Sequence, residues 1–190
     1  MWLNLKRSVV LSVLFLLVAG LGYSLAGTGL SQVLFPNRAN GSVVRVDGKV
    51  AGSALIGQAW PGPRWFQGRP DQGLLTSKPG QVVISGTEQW GPRAKALEQF
   101  VLAQAERLRR EGIVPTADLV TNSGSLVDPD ISPADAYAQV PAVAAANHLS
   151  TQVLDRLVRA RVVGRQFGFL GSPYVDVLQL NLGLAHLEHG

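Results

Sequence analysis

Apolar positions are spread unevenly along this chain of 190 residues. From Ser8 through Asn37 no side chain carries charge, and the opening stretch SVVLSVLFLLVAGLGYSLAG is strongly apolar. A helix that spans a bilayer needs about 20 mostly apolar residues, whereas about 10 to 14 suit a core helix or a signal core. The pattern predicts a transmembrane helix over residues 8–30. A cytoplasmic N-terminus (1–7) precedes it, and a linker (31–41) and an extracytoplasmic domain (42–190) follow. Orientation comes from Lys6 and Arg7, directly before the run, because basic residues stay on the cytoplasmic side. The alternative is a signal peptide cleaved near Ala26: Ser24-Leu25-Ala26 presents small residues at the cleavage positions, and Val9 to Leu21 has the length of a signal core. Apolar and small residues continuing through Leu34 and Phe35 favour the retained anchor.

After the anchor the periodicity shortens. Ser42 to Val46 and Val50 to Ile56 flank Asp47-Gly48, a dipeptide that accepts the positive φ of a type I′ hairpin turn. From Gly57 to Gly91 the chain is dense in Gly and Pro but carries Trp60, Trp65, Phe66 and Trp90. This predicts an ordered irregular surface segment, with a short strand at Val82 to Ile84. Pro92 to Glu111 reads as a helix. Pro92 fits its first turn, Ala94, Leu97, Val101, Ala105 and Leu108 form an apolar stripe, and Gly112 stops it. Ser132-Pro133-Ala134-Asp135 announces a second helix, with a Ser cap, Pro at the first position and an acid in the first turn. It runs towards His148 through Pro141, which removes one backbone bond and bends it. Ser150 caps a third helix, Thr151 to Val163, ended by Gly164. Tyr174 to Leu182, near-alternating in Val and Leu, reads as a buried strand. The fold class is α+β: a single N-terminal transmembrane helix followed by one mixed α+β soluble domain.

Composition changes this picture mainly by exclusion. Without cysteine there is no disulfide framework, thiol nucleophile or thiolate metal site. A net charge of +4 raises the question of nucleic acid. The basic residues are dispersed, however, apart from Arg107, Arg109 and Arg110, which read as a solvated helix end. No nucleic-acid partner is expected. His186 and His189 have metal-ligand spacing but read as a frayed polar tail, so no metal site is expected. His148 reads as structural or solvated. Ser123 and Ser125 lack the strand–turn–helix of a nucleophile elbow, and no P-loop is present. Asp128 and Asp130, flanking Pro129, are either paired carboxylates or turn chemistry before a capped helix, and the latter is the commoner arrangement. These residues do not describe a self-contained enzyme.

One region carries a family resemblance. Asp118-Leu-Val-Thr-Asn-Ser-Gly-Ser-Leu-Val-Asp-Pro-Asp-Ile-Ser-Pro133, followed by Gln139-Val-Pro-Ala-Val143, resembles the signature region of the C subunit of the Kdp-type potassium-transporting ATPase. Ser53-Ala-Leu-Ile-Gly-Gln58, Trp65-Phe-Gln-Gly-Arg-Pro70 and Ser85-Gly86 with Gly91-Pro92 are similar to its upstream segments. Gly164-Arg-Gln-Phe-Gly-Phe-Leu-Gly171 and Val175-Asp-Val-Leu-Gln-Leu-Asn-Leu182 are similar to its C-terminal ones. Departures are Asp71 in place of a serine, Ala142 and Asn147 in place of arginines, Asp130 in place of a histidine or asparagine, and Gln89 in place of an asparagine.

The resemblance implies an accessory subunit of an ATP-driven, high-affinity potassium uptake complex in the cell membrane, non-catalytic itself. Its implied partners are a potassium-binding pore subunit, a P-type ATPase subunit and a small peptide subunit. No cofactor is expected to bind stably, and ATP would be met only in a transient complex with the ATPase subunit. The C subunit acts there as a catalytic chaperone that raises ATP affinity, and the glutamine tied to nucleotide maps onto Gln139. Arg69, Pro70, Ser123, Ser125, Asp128, Pro129, Ser132 and Pro133 fall within the matching motifs and are the candidate motif or subunit-contact residues. The Asp-Lys-Thr-Gly motif of P-type pumps is missing from the chain. Orientation and nucleotide contact conflict, because Lys6 and Arg7 place Gln139 outside whereas ATP is hydrolysed inside. A different-class alternative is a secreted binding module or hydrolase, released by cleavage near Ala26.

Overall fold

A computed structural model describes residues 2–60, 62–71, 85, 86, 88 and 90–188. It divides into two compact units, residues 1–51 and 52–190. In the first, the uncharged run and the residues before it form one continuous helix, Trp2–Leu34 (α1), of 33 residues. A π-helical stretch occupies Leu16–Gly22. At 1.5 Å per residue the helix is about 50 Å long, which exceeds the roughly 30 Å hydrocarbon core of a bilayer. None of its apolar side chains is buried within the chain. Among the described residues it is the one helix long and apolar enough to cross a membrane. Residues 31–34 continue it, and Phe35 ends it before a single turn at Pro36–Ala39 (α2). Strands Val43–Val46 (β1) and Lys49–Ser53 (β2) pair as the expected hairpin. Asp47 at φ 49° and Gly48 at φ 77° supply the two positive angles of its turn.

Among the described residues, the second unit is built from helices and one very short sheet. Lys95–Arg110 (α3) is followed by the single turn Ala117–Val120 (α4). Strand Asp130–Ile131 (β3) leads into Pro133–Asn147 (α5) and Thr151–Arg161 (α6). Val175–Asp176 (β4) pairs antiparallel with β3, Asp130 opposite Asp176 and Ile131 opposite Val175. The last helix, Val177–Glu188 (α7), starts immediately afterwards. Ile131, Val140, Val143, Leu154, Val158, Val175, Leu180 and Leu184 close the main core between α5, α6 and α7, with Phe66 inserted among them. A smaller cluster of Leu108, Ile113 and Leu119 seats the end of α3.

Strand β2 ends at Ser53 rather than at Ile56, and three boundaries beyond the hairpin also differ from expectation. Helix α3 begins at Lys95, with Ala94 as its extended N-cap, so Pro92 lies in the turn before it. Helix α6 ends at Arg161 because Val162 is already extended and enters a β-bridge segment, two residues before Gly164. The third difference is larger: of the expected strand 174–182 only Val175–Asp176 is a strand, Tyr174 makes a β-bridge with Val163, and residues 177–182 lie in α7. The Asp176 carboxylate accepts the Gln179 N–H at 2.8 Å, which is an N-cap bond to the third residue of a helix. Val177, Leu178, Leu180, Asn181 and Leu184 are all buried, a helical spacing that near-alternation of Val and Leu imitates over a few residues. Helix α5 carries Pro141 without interruption. The strand expected at Val82 to Ile84 lies outside the described residues.

Candidate functional site

The residues singled out in the sequence converge on one irregular segment, Arg64 to Asp71. Phe66 is its anchor, fully buried in the main core, and Trp60 and Trp65 pack against the same core from partly exposed positions. An irregular backbone buried without a neighbouring strand must find other hydrogen-bond partners. Here amide side chains provide them. Asn181 of α7 accepts the Phe66 N–H and donates to the Phe66 carbonyl, both at 2.9 Å. Gln139 of α5 accepts the Gln67 N–H at 2.7 Å and donates to the Gln67 carbonyl at 3.0 Å, with a second donation to the Asp135 carbonyl at 3.3 Å. Asn147 at the end of α5 donates to the Arg64 carbonyl at 2.7 Å and accepts from the Arg64 guanidinium at 3.2 Å. Gln139 and Asn181 are each 0% exposed.

From Arg69 onward the segment grips the 118–128 loop. The Arg69 guanidinium, on a half-buried side chain, donates to the Asp118 carboxylate, the Thr121 hydroxyl and the Asn122 carbonyl, each at 3.1 Å. Pro70 is buried beside it. Asp71, also fully buried, accepts the Ser123 N–H at 2.6 Å, the Ser123 hydroxyl at 2.8 Å and the Asp128 N–H at 3.0 Å. The Ser125 hydroxyl lies 3.3 Å from that of Ser123 and accepts from the Val127 N–H, while the Ser125 carbonyl takes the Gly86 N–H and the Ser85 hydroxyl. Asp128 closes an Asx turn by accepting the Asp130 N–H at 3.0 Å, and the Pro129 carbonyl accepts the Val177 N–H at 3.0 Å. Asp128 and Asp130 therefore serve the turn.

The loop ends in the cap of α5. Ser132 and Asp135 form a reciprocal capping box, with Pro133 at the first helical position, so two otherwise orphaned donors are satisfied together. Asp135 is 2% exposed. Burial alone would raise its pKa, but hydrogen bonding with Asp118 and from the Ser132 hydroxyl and N–H holds it below the usual carboxylate value. Asp118 moves the other way: its hydrogen bond to Asp135, then burial and the repulsion of that carboxylate raise it against the pull of Arg69. Nearby, burial first, then Asp128 and Asp176, push Asp130 up to about 6.

The family model described as the c chain of the K+-transporting ATPase, KdpC, matches residues 5–186. The chain belongs to the KdpC family. Among curated relatives, the potassium-transporting ATPase KdpC subunit of Methylobacterium nodulans is 47% identical, over 97% of this chain and 97% of its own. The subunit of that name from Bradyrhizobium diazoefficiens is 41% identical over 95% of this chain and 96% of its own. That from Caldanaerobacter subterraneus is also 41% identical, over 95% and 94%. KdpC membership thus takes in the apolar helix as well as the domain.

Within this KdpC chain the motif residues are brought together as one scaffold of internal bonds. Arg69 bridges two loops, and Trp60, Trp65 and Phe66 pack on the core. Arg107 is likewise spent locally, on Glu111 at 3.1 Å near the end of α3. His148 is an exposed, left-handed C-cap of α5; His186 is exposed, and His189 lies outside the described residues. No group of side chains suited to a metal ion occurs among the described residues. Sequence reasoning passed over Asn181, Asn147 as a backbone partner, and the hub role of Asp71. One available signal was a lone amide, Asn181, set among Leu residues at helical spacing.

Proposed function

We propose that this chain is a non-catalytic accessory subunit of a K+-transporting ATPase. It is held in the membrane by α1 and acts through contacts with partner subunits. Lys6 and Arg7 orient the helix with its N-terminus in the cytoplasm and the second unit on the outer face. Its partners are the potassium-binding pore subunit, the P-type ATPase subunit and the small peptide subunit that the family resemblance implies. The observation that carries the non-catalytic reading is the state of the polar cluster: Gln139, Arg69, Asp71, Ser123, Asp128, Ser132 and Asp135 direct their bonds inward, onto loops and caps.

Gln139 illustrates the consequence. To reach a nucleotide it would surrender two bonds to Gln67 and expose a fully buried amide, stranding a backbone N–H and C=O at a cost of roughly 1–3 kcal/mol each. Its part is to hold the 64–71 segment. Any rise in ATP affinity of the ATPase subunit then travels through subunit contacts, as a coupling free energy between separate sites. A photoreactive azido-ATP added to the assembled complex tests this. Label is expected on the ATPase subunit alone, and label on this chain that unmodified ATP competes away would overturn the reading.

A further inference from the structure

Between α6 and β4 the chain leaves the core and returns as a narrow hairpin. Val163 and Tyr174 exchange two backbone bonds at its base, at 2.8 and 3.1 Å. Gln166 and Leu170 exchange two more at 3.0 and 2.9 Å. Its tip is apolar and uncovered: Phe167 is 87% exposed and Phe169 70% exposed. Val163, Leu170 and Tyr174 are exposed too. Phe167 also adopts a left-handed φ of 52°, followed by Gly168 at 83°, and that conformation is costly for a bulky side chain. Neither core burial nor backbone preference accounts for two phenylalanines here. Contiguous exposed apolar residues on a soluble surface mark sites of association.

Charge narrows the identity of what covers them. The one charged residue of the hairpin is the exposed Arg165, two positions before Phe167, and no acid falls between Asp155 and Asp176. We infer that the 163–174 hairpin is a docking element for a partner subunit of the ATPase, whose receiving surface is an apolar pocket with an acidic rim. This rests on the reading of the chain as a subunit. Phe and Arg are characteristic anchors of protein interfaces, placed in pockets that exclude water. A lipid surface would also accept aromatic and basic residues, but its attraction scales with apolar area and asks no fixed geometry. The four cross-hairpin bonds and the left-handed tip fix the backbone that carries the two rings, which favours a shaped protein pocket.

The test uses the full chain in its membrane, co-expressed with the other ATPase subunits. A benzophenone-bearing amino acid in place of Phe169 should crosslink to one of those subunits on illumination. A crosslink only to phospholipid, or none, would overturn the proposal. In parallel, F167S/F169S should lower recovery of the assembled complex at least about tenfold, the loss typical of removing interface anchors, with unchanged unfolding of the chain itself. R165E should weaken assembly and make it less sensitive to salt. If the unaltered chain recovers no ATPase subunits, the reading as a subunit fails; if unaltered and F167S/F169S chains recover them equally, only the docking role of the hairpin fails.

Discussion

Gln139 and Asn181 do for the backbone at Phe66 and Gln67 what an adjacent strand does in a sheet. Each amide offers one donor and one acceptor along a single edge, and each is matched to the N–H and C=O of one residue. Replacing such an amide with an apolar side chain leaves both backbone groups buried and unpaired. Asn181→Leu should therefore lower the unfolding free energy by about 2–4 kcal/mol, measured by denaturant unfolding of the full chain in detergent. Gln139→Leu should behave alike, which separates a structural glutamine from a ligand-binding one: the loss appears with no nucleotide present. Asp71 shows the same economy. One carboxylate with two oxygens ties together Ser123 and Asp128, residues about fifty positions away, where a serine would offer a single oxygen.

At the scale of elements, legibility tracked how local the determining chemistry is. The hairpin at Asp47-Gly48 and the capping box at Ser132 and Asp135 were readable because a dipeptide or four residues set their geometry. Helix α7 was misread because its deciding feature is the side chain of Asp176 folding back on Gln179, while its surface is buried on more than one face and loses the polar stripe that identifies a helix. The β3–β4 pair was invisible beforehand, since two residues on each side carry no period. That pairing sets Asp130 against Asp176; burial raises both carboxyls, and for Asp130 the charges of Asp128 and Asp176 add to it and bring it to about 6, whereas backbone N–H bonds and Arg161 pull Asp176 the other way. A raised acid binds more protons folded than unfolded between the two pKa values. Its contribution to stability is complete below the unfolded value near 4 and declines as pH rises through about 6. Asp130→Asn should raise the thermal midpoint at pH 7 and flatten the decline between about pH 4 and 6, read by melting curves of both chains across that range.

At the scale of the whole molecule, the anchor and the α+β class were legible because a membrane-spanning run is a composition signal that tertiary contacts do not modify. The candidate site was only partly so. Arg69, Ser123, Asp128, Ser132 and Gln139 were located by resemblance to a family, but what each touches depends on long-range packing: Arg64 to Asp71 meets residues about 50 to 115 positions further along the chain. Function at this scale rests on the side of the membrane the second unit occupies, because an outer-face domain and ATP never share a compartment. The chain has no cysteine, so a single one can report that side. Glu106→Cys, at an exposed position on α3, should react with a membrane-impermeant maleimide added to intact cells expressing the full complex. Labelling only after the membrane is breached would contradict the outer-face placement, and with it the claim that this subunit acts on the pump through its partners rather than on nucleotide.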